Sequence, residues 1–387
     1  MSRLQAPPLA LYVHLPWCVR KCPYCDFNSH AIKGALPERE YVAALIADLE
    51  ADLPLVTGRV VTSLFLGGGT PSLFAAESIA ELLGAFGARL EFAADLEATL
   101  EANPGTVEHG RFAGYRDAGI TRVSVGAQSF DAAQLAALGR IHGPGDTARA
   151  VAELGEAGIR NFNLDLMHGL PGQTVAGACA DVAQALALEP AHLSHYQLTL
   201  EPGTVFHERP PPLPAEELAQ EIETAAHARL RNAGYVQYEI SAWARPGAEC
   251  RHNLNYWRFG DYLGLGAGAH GKLTDATHGT IARTVKTRQP REYLERARRG
   301  ESQCTLAPVP ARELPFEFML NALRLPAGFA TDEFEARTGL PIGLVESTLQ
   351  AAESRGLMAR HAGGWHPTEL GRRFLNDLQA MFLPPDP

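Results

Sequence analysis

Three cysteines within eight residues form the most chemically reactive cluster in the sequence. Cys18, Cys22 and Cys25 have the spacing C-x3-C-x2-C within the segment YVHLPWCVRKCPYCDFNSH, which runs from Tyr12 to His30. Cysteine thiolates are the usual ligands of iron–sulfur clusters, and a cubane cluster normally takes four. A loop that offers three would leave one iron open to a small chelating molecule. The spacing therefore predicts a [4Fe-4S] cluster with an open coordination position.

Two other interpretations of this loop stay open at this point. A zinc ion would normally need a second, distant pair of cysteines or histidines, and the three-then-two spacing is unusual for zinc, although His30 could serve as a fourth ligand. The spacing could also arise by chance. The other cysteines, Cys179, Cys250 and Cys304, stand far apart. Scattered single cysteines are most often small core residues.

The cysteine loop follows the first of six predicted strands. Short apolar or β-branched runs alternate with amphipathic stretches, which indicates βαβ units and a parallel sheet. The predicted strands are Leu9–His14, Val60–Leu66, Leu96–Glu101, Arg122–Gln128, Asn161–Met167 and His192–Leu198. The predicted helices between them are Glu38–Leu53, Glu77–Phe86, Thr106–Ala118, Asp146–Ala157 and Thr174–Leu188. Periodicity alone does not separate a partial barrel from an open doubly wound sheet.

Polar or glycine-rich segments stand at the ends of these strands, where parallel strands face a common mouth. The second strand leads into GGGTP at positions 67–71, and glycines there allow the backbone to approach a ligand closely. Glu101 ends the third strand, Gln128 ends the fourth, and Arg140 lies beyond it. Asp165 lies within the fifth strand, where a carboxylate between apolar neighbours needs a partner.

The composition changes after about residue 205. A proline-rich connector, EPGTVFHERPPPLP at positions 201–214, precedes a predicted helix at Ala215–Asn232. From about residue 312 the pattern is mainly helical, with a short extended pair at Leu357–His366, which favours a winged-helix-like module. We divide the chain into a core at 1–205, an extension at 206–305 and a C-terminal module at 306–387.

The bulk properties restrict the function and the location. The formal net charge of −10 argues against a general nucleic-acid role, so a packing or partner-binding role for the C-terminal module is at least as favoured as DNA contact. No apolar run is long enough to cross a bilayer, and the N-terminus lacks the pattern of a secretory signal. We expect a cytoplasmic protein, with any membrane association peripheral.

With these motifs in place, the sequence resembles the radical S-adenosylmethionine (SAM) superfamily, whose fold is a partial (β/α)6 barrel. The resemblance is strongest to the branch of oxygen-independent coproporphyrinogen III oxidase, a dehydrogenase, from about residue 12 to residue 271. It implies that the three loop cysteines bind the [4Fe-4S] cluster and that SAM binds the open iron, where one electron cleaves it to a 5′-deoxyadenosyl radical. The SAM contacts that the resemblance implies are Tyr12, Tyr24, Gly68, Gly69, Thr70, Glu101, Gln128, Arg140 and Asp165.

Two departures from the oxidase pattern resemble the heme chaperone subfamily of this branch. The oxidase motif continues as C-x3-C-x2-C-x-C, whereas this chain has Phe27 at the last position, and its first strand begins without the oxidase's longer N-terminal arm. The motif HNLNYW at positions 252–257 is similar to the HNxxYW motif associated with heme in that subfamily, although oxidase relatives carry similar residues. It makes His252 a candidate axial ligand and Tyr256 and Trp257 candidate stacking partners for heme. His270 in GAGAHG is expected to be structural.

The favoured function is therefore that of a heme chaperone, which binds heme and transfers it to an acceptor hemoprotein such as a respiratory membrane complex. Flavodoxin or ferredoxin would be the reductant. The alternative is an oxygen-independent coproporphyrinogen III oxidase that forms protoporphyrinogen IX by radical SAM decarboxylation in porphyrin biosynthesis. Phe27 disfavours this second function. A third candidate is a radical SAM activity on another tetrapyrrole.

Overall fold

A mixed twelve-stranded sheet forms the centre of the protein in the computed structural model, which describes residues 4–106 and 111–384. Six strands of this sheet come from the repeated units: β1 Leu9–Leu15, β2 Val60–Gly68, β3 Glu91–Ala102, β4 Arg122–Gln128, β5 Phe162–His168 and β6 His192–Gln197. They pair in parallel in chain order, from β1 with β2 to β5 with β6. All six predicted strands are therefore present.

The helices that connect these strands are α1 Glu38–Asp52, α2 Ala76–Gly87, α3 Arg111–Asp117, α4 Ala132–Ala137, α5 Pro144–Glu156 and α6 Val175–Ala187. Side-chain caps begin two of them, because Asp131 accepts hydrogen bonds from the backbone of Ala133 and Gln134, and Thr174 accepts one from Gly177. The predicted helix from Thr106 includes residues 107–110, which lie outside the described residues; the described helix α3 begins at Arg111.

Six further strands extend the sheet beyond the repeated units: β7 Val236–Glu239, β8 Ala242–Ala244, β9 Asp261–Leu265, β10 His270–Asp275, β11 Thr280–Lys286 and β12 Gln303–Pro308. The strand order is β12-β11-β10-β9-β1-β2-β3-β4-β5-β6-β8-β7. Strand β9 is parallel to β1, and the other added pairs are antiparallel. In the described part of the chain the sheet does not close, which confirms the predicted partial barrel.

The helices of this extension are α7 Val205–Glu208, α8 Glu216–Asn232, α9 Arg251–Trp257 and α10 Pro290–Ala297. Helix α9 contains most of the predicted heme motif and lies against β1, β2 and β9. The sequence assigned this region to an extension of the barrel without predicting its strands.

A buried charge network joins α1 to the added strands. Lys286 Nζ, at the end of β11, donates to Asp48 Oδ1 at 2.7 Å and to Asp52 Oδ2 at 2.5 Å. The hydroxyl of Tyr293 donates to Asp48 at 2.6 Å, and the backbone N–H of Gly266 donates to it at 3.1 Å. Buried charges are tolerated when they are paired and hydrogen-bonded. The network therefore holds β11 and the segment after β9 in a defined position beside the first strand.

The C-terminal region consists of helices around a small sheet, as the sequence predicted. Its helices are α11 Leu314–Ala322, α12 Thr331–Thr338, α13 Glu346–Ser354, α14 Glu369–Arg373 and α15 Leu375–Ala380, and its strands are Phe329–Ala330, Met358–His361 and Gly364–Pro367. A 3₁₀ turn at Ile342–Leu344 precedes α13, and Phe374 separates α14 from α15.

The core of this region includes side chains from the rest of the chain. Phe318 packs edge-on against Phe334 and against Phe259, which follows α9, and Leu4 belongs to the same buried cluster. The C-terminal region is thus packed directly behind the helix that carries the predicted heme motif. Within the described residues, we find no helix that is both long and apolar enough to span a membrane.

Candidate functional site

The cysteine loop leaves the carboxyl end of β1 and is folded back on itself. Two-residue strands, Trp17–Cys18 and His30–Ala31, pair in parallel, and the backbone N–H of Ile32 donates to Cys18 O at 2.9 Å. Cys18, Cys22 and Cys25 are all free thiols and half-buried. One closed loop thus presents three thiols at the end of the first strand, where the sequence predicted them.

Polar groups lie close to two of the thiols. Arg140 Nη1 lies 3.7 Å from Cys22 Sγ, and Ser29 Oγ lies 3.5 Å from Cys25 Sγ. Burial raises the pKa of Cys18 and outweighs the opposing effect of a hydrogen bond with Thr70. Metals bind the thiolate form of cysteine, and Arg140 supplies a positive charge beside this site. Three thiols on one loop with a neighbouring cation fit a cluster that takes three protein ligands.

His30, the fourth ligand in the zinc alternative, has a different partner. Its Nε2 lies 3.1 Å from Asn28 Oδ1, and because an amide oxygen only accepts, this nitrogen is the donor. Among the residues that the structure describes, no three His, Cys, Asp or Glu side chains meet closely enough to hold a single metal ion.

The glycine turn after β2 packs against the cysteine loop. The backbone N–H groups of Gly69 and Thr70 donate to Leu15 O and Trp17 O, each at 2.8 Å. A Cβ added to Gly69 would lie 2.5 Å from Trp17 O, and Gly68 has φ of +111°. Only glycine allows this contact and this conformation. The close approach expected from the sequence is therefore to the cysteine loop itself.

A cavity of about 710 Å³ lies beside the loop and falls within the usual size range of small-molecule sites. Six of the predicted site residues line it: Tyr12, Gly68, Glu101, His252, Tyr256 and Trp257. The other predicted SAM contacts lie outside its wall: Tyr24, Gly69, Thr70, Gln128, Arg140 and Asp165. The structure therefore brings half of the predicted SAM and heme contacts together around one cavity.

Glu101 is a half-buried acid in the wall of this cavity. Its Oε2 accepts a hydrogen bond from the backbone N–H of Gly68 at 3.1 Å. Burial, and then the nearby Asp165, raises the pKa of Glu101 to about 8. Burial also raises the pKa of Tyr12, whose hydroxyl lies 2.9 Å from His14 Nδ1. At neutral pH this end of the cavity is uncharged, and a cationic ligand group would favour ionised Glu101.

Two of the predicted SAM contacts outside the cavity wall, Gln128 and Asp165, are hydrogen-bonded to neighbouring residues of the sheet. Gln128 has φ of +64°, and its Oε1 accepts from the Tyr196 hydroxyl at 2.7 Å. Asp165 accepts from Asn163 Nδ2 at 2.7 Å and from the Ser124 hydroxyl at 3.2 Å, which gives it the partners that the sequence required. Burial nevertheless raises the pKa of Asp165.

His252 is a buried and neutral imidazole in the cavity wall. Its ring centroid lies 5.1 Å from that of Phe65 and 6.3 Å from that of Tyr12. Its Nδ1 lies 3.4 Å from the Ser63 hydroxyl. Burial, and then the charge of Arg122, lowers the pKa of His252 to about 4. At neutral pH the ring therefore has a lone pair available for a metal.

The other residues of the α9 motif form an aromatic wall. The Tyr256 and Trp257 rings are perpendicular, with centroids 4.9 Å apart, and the centroid of Tyr262 lies 5.1 Å from that of Tyr256. Arg324 stacks over Trp257 at 4.3 Å from the ring centroid. Aromatic faces beside a neutral imidazole suit a flat apolar ligand.

Several cavity residues were missed by sequence reasoning. They are His14, Asn28, Tyr262, His270 and Arg288. His270, for which a structural role was expected, is exposed and lies in the cavity wall. Asn28 could have been found from its position in the sequence, because it directly follows the cysteine loop. His270 and Arg288 could not, because they reach the cavity only through the pairing of β10 with β11.

Comparison with known proteins agrees with this geometry. Residues 12–179 match the family model of the radical SAM superfamily, and residues 309–374 match that of the HemN C-terminal domain. The solved structure of coproporphyrinogen III oxidase (HemN) from Escherichia coli, a radical SAM enzyme, superposes with a TM-score of 0.82 at 22% identity. The match covers 98% of this chain and 91% of that chain and shows a shared fold. Fold and site thus define a radical SAM protein.

Two curated relatives identify the family within the radical SAM proteins. The heme chaperone HemW of Escherichia coli (strain K12) is 50% identical over 380 residues, which cover 98% of this chain and 99% of the relative. The heme chaperone HemW of Haemophilus influenzae is also 50% identical, over 381 residues that cover 97% and 98%. The chain belongs to the heme chaperone HemW family.

We expect the raised pKa of Glu101 to make stability depend on pH in the ligand-free protein. Between about pH 4.5 and 8 the unfolded chain has ionised this group and the folded chain has not. The folded state then binds more protons, so stability falls as the pH rises through this window. Glu101→Gln should raise the urea midpoint over wild type more at pH 8 than at pH 5.

The control for this prediction is Glu221→Gln, which changes an exposed carboxylate on α8. This variant should differ from wild type by the same small amount in urea midpoint at pH 5 and at pH 8. A difference for Glu101→Gln that does not grow with pH would show that this carboxyl is ionised in the folded protein.

Proposed function

We propose that this protein binds heme in the cavity and transfers it to an acceptor hemoprotein, and that it carries a [4Fe-4S] cluster with SAM beside that cavity. The observation that carries this proposal is the place of His252, a buried neutral imidazole in the same cavity that the cysteine loop flanks. Membership of the HemW family supports the same function.

Cys18, Cys22 and Cys25 would hold the cluster, and Arg140 would offset part of the thiolate charge at Cys22. When bound, the cluster and SAM supply one-electron chemistry. The groups proposed to contact SAM are Tyr12, Tyr24, Gly68, Gly69, Thr70, Glu101, Gln128, Arg140 and Asp165. Of these, Glu101 offers a half-buried carboxyl at the cavity, which would ionise beside the SAM ammonium group.

His252 would be the axial ligand of heme iron, with Tyr256 and Trp257 against the macrocycle. Because the pKa of His252 is about 4, the ring would bind iron at neutral pH without first losing a proton. The acceptor proposed for the heme is a hemoprotein such as a respiratory membrane complex, which the protein would approach from the membrane surface. Flavodoxin or ferredoxin is the proposed reductant.

Phe27 favours this function over the oxidase alternative. It stands where the oxidase motif has its fourth cysteine, and its side chain is 60% exposed in the wall of the cavity. A phenyl ring there supplies apolar surface to a ligand and no thiol. The structural similarity to the oxidase, at 22% identity, concerns the fold.

The cluster assignment predicts a spectroscopic loss. Replacing Cys18, Cys22 and Cys25 with alanine should abolish the broad visible absorbance of the anaerobically reconstituted protein, because no thiolates would remain to hold iron. Cys179→Ala, which changes a buried cysteine on α6, is the matched control and should keep the absorbance. Retention of the full spectrum in the triple variant would refute the assignment.

The assignment of His252 as a heme ligand predicts weaker heme binding and a shifted Soret band when this imidazole is removed. His252→Ala should weaken heme binding by at least about tenfold and move the Soret band, because the axial ligand is lost. His361→Ala, which changes an exposed histidine of the C-terminal sheet, should leave both unchanged. Titrations with an intact cluster absorbance would separate ligand loss from misfolding. An identical Soret band in both variants would exclude His252 as the ligand.

A further inference from the structure

Arg288 lies at the edge of the cavity, where it is exposed and lines the wall together with His270. Its guanidinium makes no hydrogen bond or ion pair with any residue that the structure describes. By contrast, the nearby Arg283 is bound by Glu317 and donates to the Tyr262 hydroxyl at 2.8 Å. Of these two guanidinium groups, Arg288 is the one still free to bind an anion.

The backbone that carries Arg288 is held in place by the cysteine loop. Asn28 Nδ2 donates to Arg288 O at 2.9 Å and to Ala267 O at 2.8 Å. The backbone N–H of Gly268 donates to Thr287 O at 2.9 Å. These bonds fix the segment after β11 beside the segment that leads to His270. Arg288 therefore combines a hydrogen-bonded backbone with an exposed side chain.

The charges around this edge are positive. Burial lowers the pKa of His270, and the charges of Arg283 and Arg288 lower it further, so both guanidinium groups act on the ring. The cavity wall contains two acids, Asp26 and Glu101, and the pKa of Glu101 is raised to about 8. The cavity thus combines an aromatic wall, an uncharged interior and a cationic edge.

This combination matches a flat apolar molecule with carboxylates along one side. We propose that Arg288, together with His270, binds the propionate groups of the tetrapyrrole that enters the cavity and so orients its macrocycle toward His252. The proposal rests on the proposed function, because it assumes that heme is the occupant. A guanidinium can bind a carboxylate through two parallel hydrogen bonds, which gives orientation as well as affinity. The neutral His270 ring would add one donor.

The test combines a change in the protein with a change in the ligand. Heme and heme dimethyl ester, in which both propionates are esterified, are titrated into the cluster-loaded wild type, Arg288→Met and Arg298→Met. Arg298 is an exposed arginine just after α10 and does not line the cavity, so its variant is the charge-matched control. Arg288→Lys tests whether charge alone suffices.

Arg288→Met should weaken heme binding by about tenfold or more and leave the affinity for the dimethyl ester unchanged. Arg298→Met should change neither affinity, and Arg288→Lys should recover heme binding in part. Equal losses for both ligands, or no loss for heme, would overturn the assignment of this subsite while the heme proposal stands. Failure of the wild type to bind heme at all would overturn the proposed function itself.

Discussion

The side-chain amide of Asn28 joins the cysteine loop to the opposite wall of the cavity. Its Nδ2 donates to Ala267 O and Arg288 O, and its Oδ1 accepts from His30. The backbone carbonyl of the same residue lies 3.0 Å from His14 Nε2. Because a carbonyl only accepts, His14 carries its proton on Nε2, and the neutral ring accepts from the Tyr12 hydroxyl at Nδ1.

These hydrogen bonds connect the cysteine loop directly to two segments of the cavity wall. Asn28 bonds to the backbone of Arg288 and to Ala267, which precedes His270 in the chain. The glycine turn after β2 closes the other side, because Gly69 leaves no room between itself and Trp17. The cysteine loop and the cavity wall are therefore joined by direct hydrogen bonds and packed contacts.

The charges of the cavity are arranged by burial. Glu101 and Tyr12 are protonated at neutral pH, and His252 is neutral, because the interior disfavours the charged form of each. Arg288 adds an exposed positive charge at the edge. We propose that an uncharged interior with one cationic edge suits heme, because the iron needs a neutral nitrogen ligand and the carboxylates remain near water.

The sequence predicted those parts of the site that local patterns determine. The six parallel strands and the cysteine loop follow from apolar runs and from residue spacing over short segments. The sequence did not show that the added strands join this sheet, because their attachment to it is long-range: Leu11 of β1 is the partner of Leu263 in β9. The positions of Arg288 and His270 in the cavity wall depend on this attachment and on the pairing of β10 with β11. Asn28 meets its backbone partners only when these strands are in place.

The chaperone account is tested most directly by offering the protein the substrate of the alternative enzyme. The anaerobically reconstituted protein, with its cluster verified by absorbance, would receive coproporphyrinogen III, SAM and a reductant. We expect no decarboxylated product, although the cluster is intact and SAM is bound, because we assign the cavity to heme. Formation of protoporphyrinogen IX at catalytic rates would contradict the account and make the protein an oxidase.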